Sequence, residues 1–135
     1  MLKIGVLLDA SKQEAWLLDA LQRVLAVPDV TISCVIDATN PDRQRVSRWP
    51  HRFLDALDHT ARSRREPMFQ QVDIAAELQL PSTTIAVQAN KRHWVFGSVA
   101  CQLLREQSVD LWLCAGRLAP ELAEADVSRL GVWGL

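Results

Sequence analysis

The chain contains no C-x-x-C, no G-x-G-x-x-G, no G-x-x-x-x-G-K-[ST], no H-E-x-x-H and no G-x-S-x-G. Each absence removes a class of chemistry. A dinucleotide or nucleoside triphosphate needs the close backbone approach that glycine-rich loops permit, so a conventional NAD or ATP site is not expected. The histidines, His51, His59 and His93, stand at no metal-ligand spacing and no cysteine accompanies them, so no zinc site is expected. No nucleophile elbow supports a Ser–His–Asp triad built on Ser11 or Ser98. No pair of acids stands out as an acid/base couple. The three cysteines cannot all pair. Cys34 and Cys114 lie in apolar runs and Cys101 in a helical pattern, which reads as three reduced, buried thiols in a cytoplasmic protein. The apolar run in MLKIGVLLDASKQ is far too short for a signal h-region or a membrane span. There is no internal repeat and no low-complexity segment.

What is present is enough for one domain. The 135 residues are 49% hydrophobic, so the chain should bury a real core. A net charge of -1 argues against a surface built wholly for nucleic acid. Leu2–Leu8 is a near-continuous apolar run, as expected of a parallel strand covered on both faces. Ser11-Lys-Gln-Glu14 fits a capping box, and Trp16, Leu17, Leu21, Val24 and Leu25 follow at helical spacing. Val30–Ile36 is a second strand, rich in β-branched residues. Residues 37–81 form an insertion, with a longer helix carrying Trp49, Phe53, Leu54, Leu57 and Ala61 on one side. Arg45, Arg48, Arg52, Arg62, Arg64 and Arg65 mark its other face and tail. Asp42, Asp55, Asp58 and Glu66 dilute them, so this reads as a solvated face, with a polyanion contact as the alternative. Residues 66–82 are irregular, with one helical turn over Ile74–Leu78. A third strand covers Thr83–Val87 and a helix Val95–Glu106. Strands four and five, Val109–Cys114 and Gly131–Leu135, flank a short helix over Pro120–Val127. Trp94 reads as an exposed contact residue. The alternation gives an α/β, doubly wound, mainly parallel five-stranded sheet of Rossmann-like type, with a helical insertion after the second strand.

In open α/β sheets, ligands bind beyond the carboxyl ends of the strands. Asp9-Ala10-Ser11 stands at the first such junction. Cys114-Ala115-Gly116-Arg117-Leu118 stands after strand four. Its small residues let a flat ligand lie against backbone N–H and C=O groups; the plainer alternative is that Gly116 only turns the chain.

Three stretches, taken in order, carry a resemblance. They are Leu7-Leu8-Asp9-Ala10-Ser11 with Trp16, Phe53-Leu-Asp-Ala-Leu-Asp58 with Val72-Asp73-Ile74, and Asp110-Leu-Trp-Leu-Cys-Ala-Gly116 through Gly131-Val-Trp133. Together they resemble the N-terminal domain of formyltransferase-like proteins, over nearly the whole chain. The resemblance implies transfer of a formyl group from 10-formyltetrahydrofolate to an amine acceptor. That acceptor would be a sugar amine, a nucleotide-linked sugar, a purine intermediate or an aminoacyl-tRNA. It implies that Ala115, Gly116, Arg117 and Leu118 line the pterin pocket by backbone contacts. Arg117 departs from the apolar or aromatic residue often found at that place. In the family, an asparagine and a histidine that stabilise the oxyanion follow the strand equivalent to Gly131–Leu135, and a catalytic aspartate comes later. Gly131-Val-Trp-Gly-Leu135 holds none of these. The resemblance therefore implies a folate-side fragment ending before its catalytic segment, inactive alone, with no metal. The alternative is a noncatalytic α/β binding or interaction module, monomeric or dimeric through strand five.

Overall fold

The computed structural model describes residues 1–39, 67–89, 93–116, 119–124 and 126–134. The apolar runs become the strands of one parallel sheet. β1 (Leu2–Leu8) pairs with β3 (Val30–Thr39) on one side and β8 (Leu111–Ala115) on the other. β5 (Ser82–Ala86) extends the sheet beyond β3, and β10 (Val132–Gly134) extends it beyond β8. The order is β10-β8-β1-β3-β5, with every pairing parallel.

Helices cover both faces, which is why the central strands are apolar on both sides. On one face, Leu17 and Leu21 of α1 (Ala15–Leu25) and Ile74 and Ala75 of α2 (Ile74–Leu78) pack with Ile4, Val6 and Leu8. On the other, Ala100, Cys101 and Leu104 of α3 (Ser98–Glu106) pack with Leu7, Ile36 and Trp112. The chain winds outward through β1, β3 and β5. It then returns past β1 to β8 and β10, which completes the doubly wound arrangement expected from the sequence. The long insertion helix and its basic face fall within residues 40–66, outside the described residues.

One irregularity explains how β3 serves both faces. The β1–β3 register shifts between Ile4 and Gly5, leaving Ser33 between the partners Ile32 and Cys34. In a regular strand Ile32 and Cys34 would share a face. Here they pack into opposite cores, and the Ser33 hydroxyl donates to the Ile4 carbonyl at 3.4 Å.

Several local expectations fail for tertiary reasons. The capping box does not form. Instead β2 (Lys12–Glu14) is a short strand, antiparallel to β4 (Gln71–Asp73), and the Ser11 carbonyl accepts from the Ile74 N–H. The helix starts only at Ala15, and its N-cap residue Glu14 makes no side-chain cap bond. The stretch expected to open the Val95–Glu106 helix is strand β7 (His93–Phe96), with Trp94 and Phe96 both buried. That alternation has the two-residue period of a strand. Trp94 is therefore a core residue and not an exposed contact. The Pro120–Val127 helix is also absent: Ala119–Leu122 is strand β9, paired in parallel with β7. Within the small sheet β6-β7-β9, where β6 is Gln88–Ala89, β9 is an edge, a place that tolerates proline because no ladder donor is needed there. Val127 is buried after all, through packing on the α3 side. Cys34 and Cys101 are buried free thiols, while Cys114 is only partly buried.

Candidate functional site

The topology decides where a site belongs. Connections leave β1 in one direction and β8 in the other, so a crevice opens between their carboxyl ends. Asp9 follows the last residue of β1 and Gly116 the last residue of β8, and Leu8 pairs with Ala115. A cavity of about 460 Å³ lies there. Asp9, Gln13, Trp16, Gln71, Ala115 and Gly116 line it, with Lys12 and Glu14 at the same wall. This is the size range of a small-molecule cleft.

Gly116 has φ +153°, a conformation that side-chain-bearing residues rarely adopt. A Cβ at this position would meet Asp9 Cγ at 2.7 Å and Asp9 Oδ2 at 2.9 Å. The missing side chain is thus what lets the carboxylate lie against the backbone of the neighbouring strand end. The Gly116 of the sequence does more than turn the chain.

The carboxylate is held from the other side as well. Gln13 Nε2 donates to Asp9 Oδ1 at 2.8 Å and to the Ala10 carbonyl at 2.9 Å. The β2–β4 pairing fixes Gln13, because Gln13 sits opposite Val72 in that ribbon. Trp16 opens α1 with 41% of its surface exposed, and its indole N–H donates to Glu14 Oε2 at 2.7 Å. The crevice therefore has a fixed carboxylate, a fixed aromatic plane and a glycine-lined floor.

Two neighbouring groups titrate abnormally. Burial, with the Asp9 charge adding to it, pushes the Cys114 thiol up to about 11. Cys114 is neutral near pH 7 and is no nucleophile there. Asp37 on β3, opposite Leu8, is also raised, first by burial and then by the nearby Asp73, against a hydrogen bond from Ser82. Ser82 Oγ donates to Asp37 Oδ2 at 3.1 Å, while buried Oδ1 has no hydrogen-bond partner.

Of the four residues expected at the pocket, Ala115 and Gly116 line the crevice, and Arg117 and Leu118 lie outside the described residues. Asp9 was legible as the first strand-to-helix junction but carried no role. Gln13, Trp16 and Gln71 had no sequence signal as site residues, because the β2–β4 ribbon brings them there. Among the described residues no group of His, Cys, Asp and Glu is arranged to hold a metal, and no helix is long and apolar enough to cross a membrane. No family model matches the chain, and no curated protein matches it in sequence.

Proposed function

We propose that this chain is the folate-side α/β portion of a formyltransferase-like enzyme, with 10-formyltetrahydrofolate as donor and an amine as acceptor. One observation supports the reading. The loop that the resemblance gives to the pterin begins with Ala115 and Gly116, and these two residues line the 460 Å³ crevice between β1 and β8. At Gly116 the missing Cβ leaves room for the Asp9 carboxylate against the backbone, at the wall of the same crevice. The backbone at Ala115 and Gly116 would hold the pterin end, joined by Arg117 and Leu118. When bound, the folate supplies the formyl group. The chain's own residues orient and enclose it. Val132–Gly134 offers no general acid or base side chain, and its one side-chain donor, the Trp133 indole N–H, is given to the Leu130 carbonyl, so we expect binding without turnover. Three free cysteines suit a reducing compartment, and we place the protein in the cytoplasm.

The test is calorimetric titration of the 135-residue chain with 10-formyltetrahydrofolate. Saturable one-to-one binding that Gly116→Ala weakens by about 10-fold or more supports the reading. No binding at millimolar ligand, with the fold intact by circular dichroism, sinks it.

A noncatalytic interaction module is the second reading, favoured by the edge strand β10. Trp133 on that strand is 61% exposed and Leu130 beside it is 44% exposed. On this reading two copies associate through β10. Light scattering should then show a dimer that Trp133→Arg converts to a monomer; a wild-type monomer at all concentrations removes it.

A further inference from the structure

Among the described residues the parallel sheet ends on β5. Native proteins blunt such an edge with charge, proline or a bulge, because its open backbone groups are a template for another strand. Ser82-Thr-Thr-Ile-Ala86 contains neither charge nor proline, and it pairs with β3 without a register shift. Ser82, Thr83, Thr84 and Ala86 are exposed. The pairing also fixes which backbone groups face away from β3. The Val35 N–H donates to the Pro81 carbonyl at 3.0 Å, and the Val87 N–H donates to the Thr39 carbonyl at 2.8 Å. Backbone groups alternate between the two sides of a strand, so Pro81, Thr83, Ile85 and Val87 bond inward. The N–H and C=O groups of Ser82, Thr84 and Ala86 point outward. Beside this edge runs a groove of about 700 Å³, with Thr84, Ile85 and Ala86 on one side and Val99, Ala100 and Leu103 of α3 on the other. Val99 is 77% exposed, so the helix side of the groove presents an uncovered apolar side chain.

The outward groups are symmetric about Thr84, and that symmetry selects the occupant. A two-fold axis beside Thr84, perpendicular to the sheet, sets Thr84 against Thr84 of a second copy and Ser82 against its Ala86, with the strands antiparallel. Each of these pairs then exchanges both backbone bonds, as the hydrogen-bonded pairs of an antiparallel ladder do. The strand brings no charge to meet its like across the axis. The same axis keeps α3 of both copies on one face of the sheet, so their Val99–Leu103 faces meet. We propose that the outer edge of β5, with the Val99 and Leu103 side of α3, is a self-association surface that joins two copies of this chain into one continuous sheet. The surface uses no residue of the crevice, so it stands apart from the folate reading. It is also the opposite edge of the sheet from β10.

The experiment is sedimentation of the 135-residue chain over a concentration series, for wild type, Thr84→Pro, Val99→Glu and Trp133→Arg, with circular dichroism to report folding. Wild type should be a dimer. Thr84→Pro removes an outward N–H and leaves the ladder to β3, so it should raise the dimer Kd about 10-fold or more. Val99→Glu sets like charges across the axis and should weaken the dimer by about 10-fold or more. Val99 lies exposed in the first turn of α3, where an acidic side chain suits the helix dipole, so this variant keeps the fold and decides the matter if Thr84→Pro does not fold. Trp133→Arg should leave the dimer unchanged. Amide exchange at Thr84 should slow as the dimer forms. A wild-type monomer at all concentrations overturns the proposal, and so does a dimer that Val99→Glu leaves intact. A dimer broken by Trp133→Arg overturns it in favour of pairing through β10.

Discussion

Gly116→Ala tests the crevice through stability as well as through binding. At φ +153° an L-residue is strained, at a cost of about 1–3 kcal/mol. The added Cβ would sit 2.7 Å from Asp9 Cγ, roughly 0.7 Å closer than ordinary contact allows. Asp9 is a side chain and can yield, but yielding pulls it from Gln13 and loses a hydrogen bond of about 1 kcal/mol. Against this, alanine lowers the entropy of the unfolded chain, a gain of about 0.4–1 kcal/mol. The net loss should be about 1–3 kcal/mol, read from urea unfolding followed by tryptophan fluorescence with an unchanged m-value. Gly134→Ala is the control: its Cβ meets nothing within 4 Å, and its stability should stay within about 0.5 kcal/mol of wild type. A Gly116→Ala chain as stable as the control, and as able to bind a crevice ligand, would show that Asp9 is not packed against this backbone as described.

Three further outcomes follow from other parts of the fold. Gly5→Ala would place a Cβ 2.3 Å from Cζ3 of the fully buried Trp112 ring, so unfolding should show a loss of about 2–3 kcal/mol, partly relieved in the Gly5→Ala/Trp112→Phe double variant; purely additive losses would contradict the contact. Asp37 binds its proton more tightly folded than unfolded, so its contribution to stability falls as pH rises from the ordinary carboxylate value through the raised folded one. Asp37→Asn should therefore be more stable than wild type at pH 7, by on the order of 1 kcal/mol, and the two should converge in acid; urea midpoints across pH check this, and a variant less stable at pH 7 refutes it. Cys114, pushed up to about 11, should hold about 100-fold less thiolate near neutral pH than an ordinary thiol, so native-state alkylation read by mass spectrometry should lag the unfolded chain by that factor and speed up in Asp9→Asn; alkylation at the unfolded rate would contradict it.

The parts of this fold legible in the sequence are those where one local signal dominates. Leu2–Leu8 is a near-continuous apolar run, Val30–Ile36 is rich in β-branched residues and Val109–Cys114 is mostly apolar, and each lies largely within an observed parallel strand, Leu2–Leu8, Val30–Thr39 and Leu111–Ala115. Leu17 and Leu21 repeat at helical spacing and do face the core. The misread segments are those where a distant partner overrides a local preference. Ser11–Glu14 has every element of a cap, yet Gln71–Asp73 offers it a ladder, and the ladder prevails. Trp94-Val-Phe96 joins smoothly onto the α3 pattern, and only pairing with β6 and β9 makes it a strand. The candidate site divides in the same way. Gly116 was visible as a small residue at a strand end, where a turn and a close backbone approach both call for glycine. Gln13 and Trp16 were not, because their place in the crevice depends on the β2–β4 ribbon.

The register of β1 against β8 is what makes the crevice. The Lys3 N–H donates to Asp110 Oδ2 at 2.9 Å, and the Asp110 N–H donates to the Lys3 carbonyl at 2.8 Å, clasping the two strands at their amino ends. That bond, with Arg129 beside it, also holds the Asp110 carboxyl below the usual carboxylate range. From the clasp the pairs run Ile4 with Leu111, Gly5 with Trp112, and on to Leu8 with Ala115. Two steric demands then agree on this one alignment. Trp112 needs a residue without Cβ opposite its ring and finds Gly5; Asp9 needs one beside its carboxylate and finds Gly116. A slip of one residue would bring a side chain into both contacts. The same alignment that fills the core therefore places Asp9 against Gly116 at the strand ends. The carboxylate of the crevice is a fixed consequence of how the sheet packs, and a ligand meets it already in place.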